Sequence, residues 1–211
     1  MGRCRMHKLY DFMEARERLS TVTVKTKLIH SDVFSQECGN DVYIKPENLQ
    51  ITGSFKVRGA YNKISKLSNE EKERGVIAAS AGNHAQGVAL AAKRLGIKAV
   101  IAMPKHTPLI KVKATKQYGA EVVLHGEIYD EAYQKAVDLQ KEKGYVLVHP
   151  FDDEDVIEGQ GTIALEVLEE LPDADVLLVP VGGGGLVAGI AAAAKLKNPQ
   201  IKVIGVEPEG A

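Results

Sequence analysis

Short apolar runs rich in β-branched residues alternate with segments of helical periodicity along most of this chain, and this alternation restricts its fold more than any other feature. The runs begin 22 to 31 residues apart, at 76–78, 99–101, 121–124, 145–148, 176–179 and 201–204. Apolar residues recur at helical spacing between them, in 85–92, 129–136 and 163–168. Repeated strand and helix units predict an α/β fold with a parallel sheet covered on both faces. No residue pattern recurs between the units, which argues against a solenoid.

Two turn-rich segments divide the chain further. The sequence Gly39-Asn40-Asp41 predicts a turn before another short strand at 42–45. The acidic segment 150–155 separates the fourth apolar run from the next helix. We therefore expect a boundary between two lobes near residue 150.

Composition excludes several classes of partner. Lys and Arg total 27 against 28 Asp and Glu, so the charge balance supplies no basic field for nucleic acid or an anionic membrane. Cys4 and Cys38 lack metal-ligand spacing and the N-terminal residues lack a signal-peptide pattern, so we expect a cytoplasmic location. The uncharged segment 176–194 contains Pro180 and four consecutive glycines, which indicates a buried strand, turn and helix rather than a membrane span.

The first motif that carries chemistry surrounds Lys56, in the segment Ser54-Phe55-Lys56-Val57-Arg58-Gly59-Ala60. Gly53 and Ser54 predict a turn and an N-cap, which places Lys56 in the first turn of a helix. The helix dipole there disfavours an ammonium group and lowers its pKa, as condensation of an amine with a carbonyl requires. The alternative is a solvated surface lysine.

The second motif is Ser80-Ala81-Gly82-Asn83-His84-Ala85-Gln86-Gly87, which follows a predicted strand and opens a helix. Small residues at such a junction let backbone N–H groups converge on an anion, and Asn83 adds a side-chain donor. The alternative is a plain loop in which Asn83 caps the helix and His84 is a satisfied hydrogen-bond donor.

The third motif is the run of four glycines at 182–185, between a strand predicted to end at Val181 and a helix predicted over 186–196. Glycines at a helix N-terminus offer unobstructed backbone amides and positive φ, which suits a phosphate group. No Gly-Lys-Ser/Thr follows, which excludes a nucleoside-triphosphate P-loop. Gly183, Gly185 and Ala188, with Glu207 at a later strand end, also match a dinucleotide fingerprint, so a dinucleotide- or effector-binding module without catalysis is an alternative.

Together, and in this order, the three motifs resemble those of the fold type II pyridoxal-phosphate enzymes, most closely the threonine and serine dehydratases (threonine ammonia-lyases), with serine racemase nearby. The likeness extends from about Lys45 to the last residue. It implies an α/β fold of two open, mostly parallel sheets flanked by helices, similar to the tryptophan synthase β chain and incomplete at its C-terminus. It also implies a large cofactor-binding domain from 1–67 and 153–211, and a small domain from 75–152 with the substrate loop.

The resemblance implies a role for each motif. Lys56 would bind the aldehyde of pyridoxal 5'-phosphate as a Schiff base, Phe55 would pack beside its ring, and Asn83 would hydrogen-bond its 3′-oxygen. Backbone amides would hold the phosphate at Gly182, Gly183, Gly184, Gly185 and Leu186. Ser80, Gly82 and His84 would lie around the substrate carboxylate.

A cation is a further implication of the same resemblance. Glu207 and the carbonyl of Ala211 match two positions that bind a divalent cation in some relatives, so a divalent or monovalent cation is expected there. A solvated glutamate at the end of a strand is the alternative.

The implied reaction is elimination of water from L-threonine or L-serine, which gives 2-oxobutyrate or pyruvate and ammonia. Lys56 would remove the Cα proton as general base. Serine racemases have a serine at the position of Ala81, and a methyl group cannot exchange a proton, so elimination is favoured over racemisation. A β-replacement synthase of the same fold is the nearest alternative. The resemblance also implies a homo-oligomer, either a dimer or a tetramer.

Overall fold

A computed structural model describes residues 7–210, and within that range the chain forms nine α-helices and eight strands. The helices are α1 (Leu9–Leu19), α2 (Asp32–Cys38), α3 (Lys56–Ser65), α4 (Asn69–Arg74), α5 (Asn83–Leu95), α6 (Leu109–Gln117), α7 (Tyr129–Lys143), α8 (Glu154–Glu170) and α9 (Gly185–Lys197). The strands are β1 (Ile29–His30), β2 (Tyr43–Ile44), β3 (Val76–Ala79), β4 (Ala99–Met103), β5 (Glu121–Leu124), β6 (Val146–Leu147), β7 (Val176–Pro180) and β8 (Lys202–Val206).

Parallel pairing dominates the sheets, as the alternation of strands and helices predicts. One sheet has the strand order β5-β4-β3-β6, and all its neighbouring strands run parallel. Strands β7 and β8 form a second parallel pair, while β1 and β2 pair antiparallel. The predicted α/β fold with open, mostly parallel sheets is therefore confirmed.

The two parallel sheets differ in how they are covered. Every residue of β3 and β4 is buried, as expected for strands with helices on both faces. In the β7–β8 pair, Leu177, Val179 and Val203 pack into the core formed with α8 and α9. Alternate residues point the other way, so Leu178 and Ile204 remain exposed. Within the described residues this pair is therefore covered by helices on one face.

Helices α3 and α8 cross with their backbones in direct contact. A Cβ built on Gly159 would lie 2.5 Å from the carbonyl oxygen of Arg58 and 2.7 Å from the Cα of Gly59. A Cβ built on Gly59 would meet the side-chain amide of Gln160 and lie 2.8 Å from the carbonyl oxygen of Val156. The glycine pair lets the two helices approach this closely, and this approach fixes the first turn of α3, which carries Lys56.

A buried charge cluster accompanies this helix contact. Arg58 is 0% exposed, and its guanidinium lies 2.8 Å from Glu47 and 2.6 Å from Glu166. Lys45 contributes a second cation, 2.7 Å from Glu166. Burial opposes the charge on Arg58, but hydrogen bonds to both carboxylates outweigh it and raise the pKa of this residue above its ordinary value. Removing one partner from such a cluster would leave a buried charge unpaired, so displacement of α3 against α8 is unfavourable.

The predicted division into two domains stays a prediction. Strands β3 to β6 lie within 75–152, and β7, β8, α8 and α9 lie within 153–211. Among the described residues, none of the helices combines the length and the apolar composition that crossing a membrane requires.

The close contact of α3 and α8 makes Gly159→Ala strongly destabilising. The added methyl group would overlap the backbone of Arg58, and we expect the free energy of unfolding to fall by about 3 kcal/mol, measured by urea denaturation. The better helix propensity of alanine, about 1 kcal/mol, offsets only part of this loss. Gly182→Ala is the control, because it adds the same group where no atom lies within 4 Å. Equal effects of the two substitutions would contradict the contact.

Candidate active site

Lys56 is the first residue of α3. The cap position is Phe55, one residue after the predicted Ser54, and the Phe55 carbonyl accepts the Arg58 N–H at 3.0 Å. Ser54 still contributes, since its hydroxyl oxygen accepts the Lys56 N–H at 3.4 Å. The predicted cap is wrong by one residue, and the predicted placement of Lys56 in the first turn is correct.

The Lys56 side chain is half-buried, and its amine is held in place. Nζ donates a hydrogen bond to the carbonyl oxygen of Pro150 at 2.8 Å and lies 5.3 Å from the centre of the Phe55 ring. Burial lowers the pKa of this amine, whereas the sequence argument attributed the lowering to the helix dipole. A lowered pKa increases the neutral fraction, which is the form that attacks a carbonyl or accepts a proton.

The second motif begins α5 beside Lys56. The cap residue is Gly82, so the alternative in which Asn83 caps the helix is wrong; Asn83 is the first helical residue, and its side chain is exposed. The hydroxyl oxygen of Ser80 accepts the Gly82 N–H at 3.2 Å and folds the loop onto itself. A Cβ on Gly87 would lie 3.0 Å from the backbone carbonyl of Lys56, so α5 contacts the start of α3 directly.

His84 is buried within this motif. Its Nε2 lies 2.8 Å from the carbonyl oxygen of Val148, which makes Nε2 the donor and assigns the proton to that nitrogen. Burial lowers the pKa of His84 to about 4, and the positive charge of Lys56 acts in the same direction. The ring is therefore neutral at neutral pH, and its Nδ1 is a buried acceptor without a hydrogen-bond partner among the described residues. This geometry matches the alternative of a satisfied donor, and a role near a substrate carboxylate stays a prediction.

The four glycines of the third motif occupy their positions for different reasons. β7 ends at Pro180, one residue before the predicted end, and α9 begins at Gly185. A Cβ on Gly183 would overlap the ring of Phe151, and one on Gly185 would lie 2.7 Å from the Phe151 carbonyl oxygen. Gly184 has φ +86°, a value that favours glycine, and Gly182 faces open space. Gly182 and Gly183 remain exposed just before the N-terminus of α9, where the first amides have no partner within the helix.

All three motifs meet at one segment, the turn formed by residues 148–153, which joins β6 to α8. His84 contacts the carbonyl of Val148, the amine of Lys56 contacts the carbonyl of Pro150, and the glycine loop lies against Phe151. Sequence reasoning treated this segment only as a boundary between lobes and missed its part in the site. No local pattern could have revealed it, because Lys56 and Pro150 are 94 residues apart in the chain.

This arrangement fits pyridoxal phosphate. An amine with a lowered pKa can condense with its aldehyde, and backbone amides at a helix N-terminus can bind its anionic phosphate. Lys56 and the glycine loop contact adjacent residues, Pro150 and Phe151, which brings these two functions to one place. Lys56 would hold the aldehyde, and Gly182 to Leu186 the phosphate.

The predicted cation site does not come together in the described residues. Glu207 is exposed just after β8, and Ala211 lies outside the described residues. One group of three side chains in 7–210 has ligand atoms within 4.8 Å of one another, namely His7, Asp11 and Glu158, and Glu207 is not among them. A cation at Glu207 stays a prediction.

Comparison with known proteins gives consistent results. A family model described as "Pyridoxal-phosphate dependent enzyme" matches residues 19–211. An L-threonine ammonia-lyase of Thermotoga maritima is 56% identical over 204 residues, which cover 97% of this chain and 51% of that protein. Threonine deaminase isoform 2 of Solanum lycopersicum superposes with a TM-score of 0.93 at 47% identity, covering 96% of this chain and 55% of that one. Serine racemase of Dictyostelium discoideum superposes with a TM-score of 0.93 at 39% identity, covering 98% of this chain and 67% of that one. The chain thus spans about half the length of the curated ammonia-lyase that it matches.

The buried, neutral His84 predicts a stability that depends on pH. An unfolded histidine takes up a proton below about pH 6.5, and the folded one does so only below about 4, so lowering the pH across this interval favours unfolding. The loss attributable to His84 is on the order of 3 kcal/mol, measured as the change in the free energy of unfolding between these two pH values. In His84→Gln the amide N–H can still donate to Val148 but does not titrate, so we expect a flatter dependence. Identical pH dependence in the two proteins would show that His84 is not buried in its neutral form.

Proposed function

Because the chain belongs to the pyridoxal-phosphate-dependent enzyme family, we propose that it supplies the cofactor lysine and phosphate loop of a threonine ammonia-lyase. The reaction converts L-threonine to 2-oxobutyrate and ammonia, or L-serine to pyruvate and ammonia. The observation that carries the proposal is the meeting of the Lys56 amine and the glycine loop at Pro150 and Phe151. The names of the ammonia-lyase of Thermotoga maritima and the threonine deaminase of Solanum lycopersicum support the substrate.

Different residues of the three motifs bind different parts of the cofactor and the substrate. Lys56 holds the cofactor aldehyde, Phe55 packs beside the ring, and Asn83 donates to the 3′-oxygen from the start of α5. Backbone amides of residues 182–186 bind the phosphate at the start of α9. Ser80 and Gly82 lie in the loop between β3 and α5, beside the first amides of α5, which have no partner within the helix and can bind a substrate carboxylate.

Proton transfer is assigned to Lys56. When bound, pyridoxal phosphate supplies an electron sink for negative charge at Cα of the amino acid. The Lys56 amine, whose pKa burial lowers, would accept the Cα proton as general base once the amino group of the substrate has replaced it at the aldehyde, and the Pro150 carbonyl orients the amine by accepting one of its hydrogens. The Cβ hydroxyl takes up a proton as it leaves, which balances the Cα proton that is removed, so the net loss is one water. The released enamine tautomerises to an imine, whose hydrolysis takes up one water and releases ammonia. No oxidant or reductant is needed.

Ala81 favours elimination over racemisation. It stands between Ser80 and Gly82 in the substrate loop and is half-buried. Its methyl group cannot donate or accept a proton, so a second proton-transfer group is absent at this position, where the racemases that the chain resembles have a serine. Elimination requires removal of the Cα proton but no return of a proton to the opposite face.

The remaining features of the proposal concern assembly and location. We propose a large domain from 1–67 and 153–211 and a small domain from 75–152, supported by the separate sheet of β3 to β6.

A homo-oligomer is supported by large apolar side chains that are more than half exposed, including Ile29, Val33 and Phe34. A cytoplasmic location is supported by Cys38, which is free and exposed.

The test is a cofactor titration followed by an activity assay. The 211-residue protein is mixed with pyridoxal phosphate and dialysed, its near-visible absorption is recorded, and 2-oxo acid is measured after addition of L-threonine or L-serine. Lys56→Ala should lose the retained absorption and reduce the rate by about 10²–10⁴-fold, the usual contribution of a general base. Lys113→Ala, which removes an exposed lysine from α6, is the control and should behave as the unmodified protein.

The outcomes separate the parts of the proposal. Absorption retained by Lys56→Ala would show that another group binds the cofactor. Cofactor binding without 2-oxo acid would contradict the lyase activity while leaving the cofactor site intact. Product formed only with a second nucleophile would indicate a β-replacement synthase.

A further inference from the structure

The turn at 148–153 has to keep one conformation if it is to serve the site. Its Pro150 carbonyl accepts from the Lys56 amine at 2.8 Å, and its Phe151 ring covers the Cα of Gly183. Neither contact lies within regular secondary structure, because β6 ends at Leu147 and α8 begins at Glu154. A side chain within the turn can therefore help to hold it.

His149 is that side chain. Its Nδ1 accepts the backbone N–H of Asp152 at 2.8 Å and that of Phe151 at 3.4 Å, so one ring nitrogen closes the turn on itself. The same ring packs edge-to-face against Phe151, with centroids 4.7 Å apart and an interplanar angle of 82°. On the other side it meets Tyr133 of α7 at 6.4 Å. His149 thus contacts both the backbone of the turn and the ring that lies on the glycine loop.

These contacts require a particular form of the imidazole. A nitrogen that accepts two backbone N–H groups must carry a lone pair, so the proton of neutral His149 is on Nε2. Burial lowers the pKa of His149, and the charge of Lys56 lowers it further, while Asp152 and Asp153 act in the opposite direction. The neutral form is therefore favoured near neutral pH, and protonation would direct an N–H of the ring at the N–H of Asp152.

We propose that His149 is a positioning residue of the cofactor site, which holds the turn so that the Pro150 carbonyl faces the Lys56 amine and the Phe151 ring lies on the glycine loop. The inference deepens the proposed function and rests on it for the identity of the bound group. His149 is not assigned a contact with the cofactor or the substrate. It acts through Pro150 and Phe151.

Two substitutions separate the contacts of His149. His149→Asn keeps an acceptor oxygen close to the position of Nδ1 but has no ring. His149→Phe keeps a ring but has no acceptor. The same two changes at His106, which is 80% exposed on the surface, serve as controls.

The first measurement uses the cofactor-free protein. Lys56 is labelled with a small amine-reactive reagent over a range of pH and quantified by mass spectrometry, with exposed Lys113 as the reference in the same sample. In the unmodified protein the midpoint for Lys56 should lie below the ordinary range of a lysine amine, since burial lowers its pKa. We expect His149→Phe to raise this midpoint toward the ordinary range, because a loosened turn exposes the amine to water. His149→Asn should retain most of the original midpoint.

The second measurement is the affinity for pyridoxal phosphate, titrated by absorption without any amino-acid substrate. We expect His149→Phe to weaken binding about tenfold, as loss of a hydrogen bond at a buried site does, and His149→Asn to recover most of it. Acid should weaken binding by the unmodified protein more than binding by His149→Asn, because an asparagine oxygen does not titrate. If His149→Phe does not fold, this comparison of pH profiles decides the proposal.

Several results would overturn the inference. An unchanged Lys56 midpoint and an unchanged affinity in His149→Phe would show that the turn holds without His149. A loss in His149→Asn with none in His149→Phe, or equal acid weakening in the unmodified protein and His149→Asn, would show that the acceptor nitrogen has no positioning role. If the unmodified protein does not bind pyridoxal phosphate, the proposed function fails, while the labelling comparison still decides the role of His149.

Discussion

The contact between α3 and α8 sets the geometry on which the rest of the site depends. Gly59 and Gly159 bring the two backbones together, and the buried guanidinium of Arg58 fixes their rotation through Glu47 and Glu166. Displacing α3 would separate buried charges from their partners, which is far less favourable than rearranging apolar side chains. Lys56 is two residues from Arg58, so the charge cluster holds the start of this helix firmly, although none of its members is expected to touch a substrate.

The turn after β6 connects this rigid helix pair to the other two motifs. It accepts hydrogen bonds from His84 and from Lys56 through two backbone carbonyls, and it places Phe151 against the glycine loop. The environment of the lysine follows from this arrangement, because the groups that surround the amine remove it from water and so lower its pKa. Burial created by the tertiary structure thus produces the effect that the sequence argument assigned to the helix dipole.

Much of the fold was predictable because it follows from local periodicity. All six apolar runs form strands that pair parallel, although β6 is reduced to Val146–Leu147 and the helix predicted at 163–168 is part of the much longer α8. The errors lie where several conformations satisfy the same local pattern. Ser54 and Asn83 are both good capping residues, yet the helices are capped by Phe55 and Gly82, one residue away in each case.

By itself, the sequence determined the order of strands and helices, the placement of Lys56 in a first helical turn, and a glycine-rich loop at the start of another helix. These properties depend on residues only a few positions apart, whose conformational preferences act locally. Only the tertiary structure decided that Lys56, His84 and the glycine loop meet at one turn, and that burial lowers the pKa of the lysine. Such meetings join residues that are roughly 30 to 130 positions apart, and they are selected by the close packing of helices and sheets, which no short stretch of sequence contains.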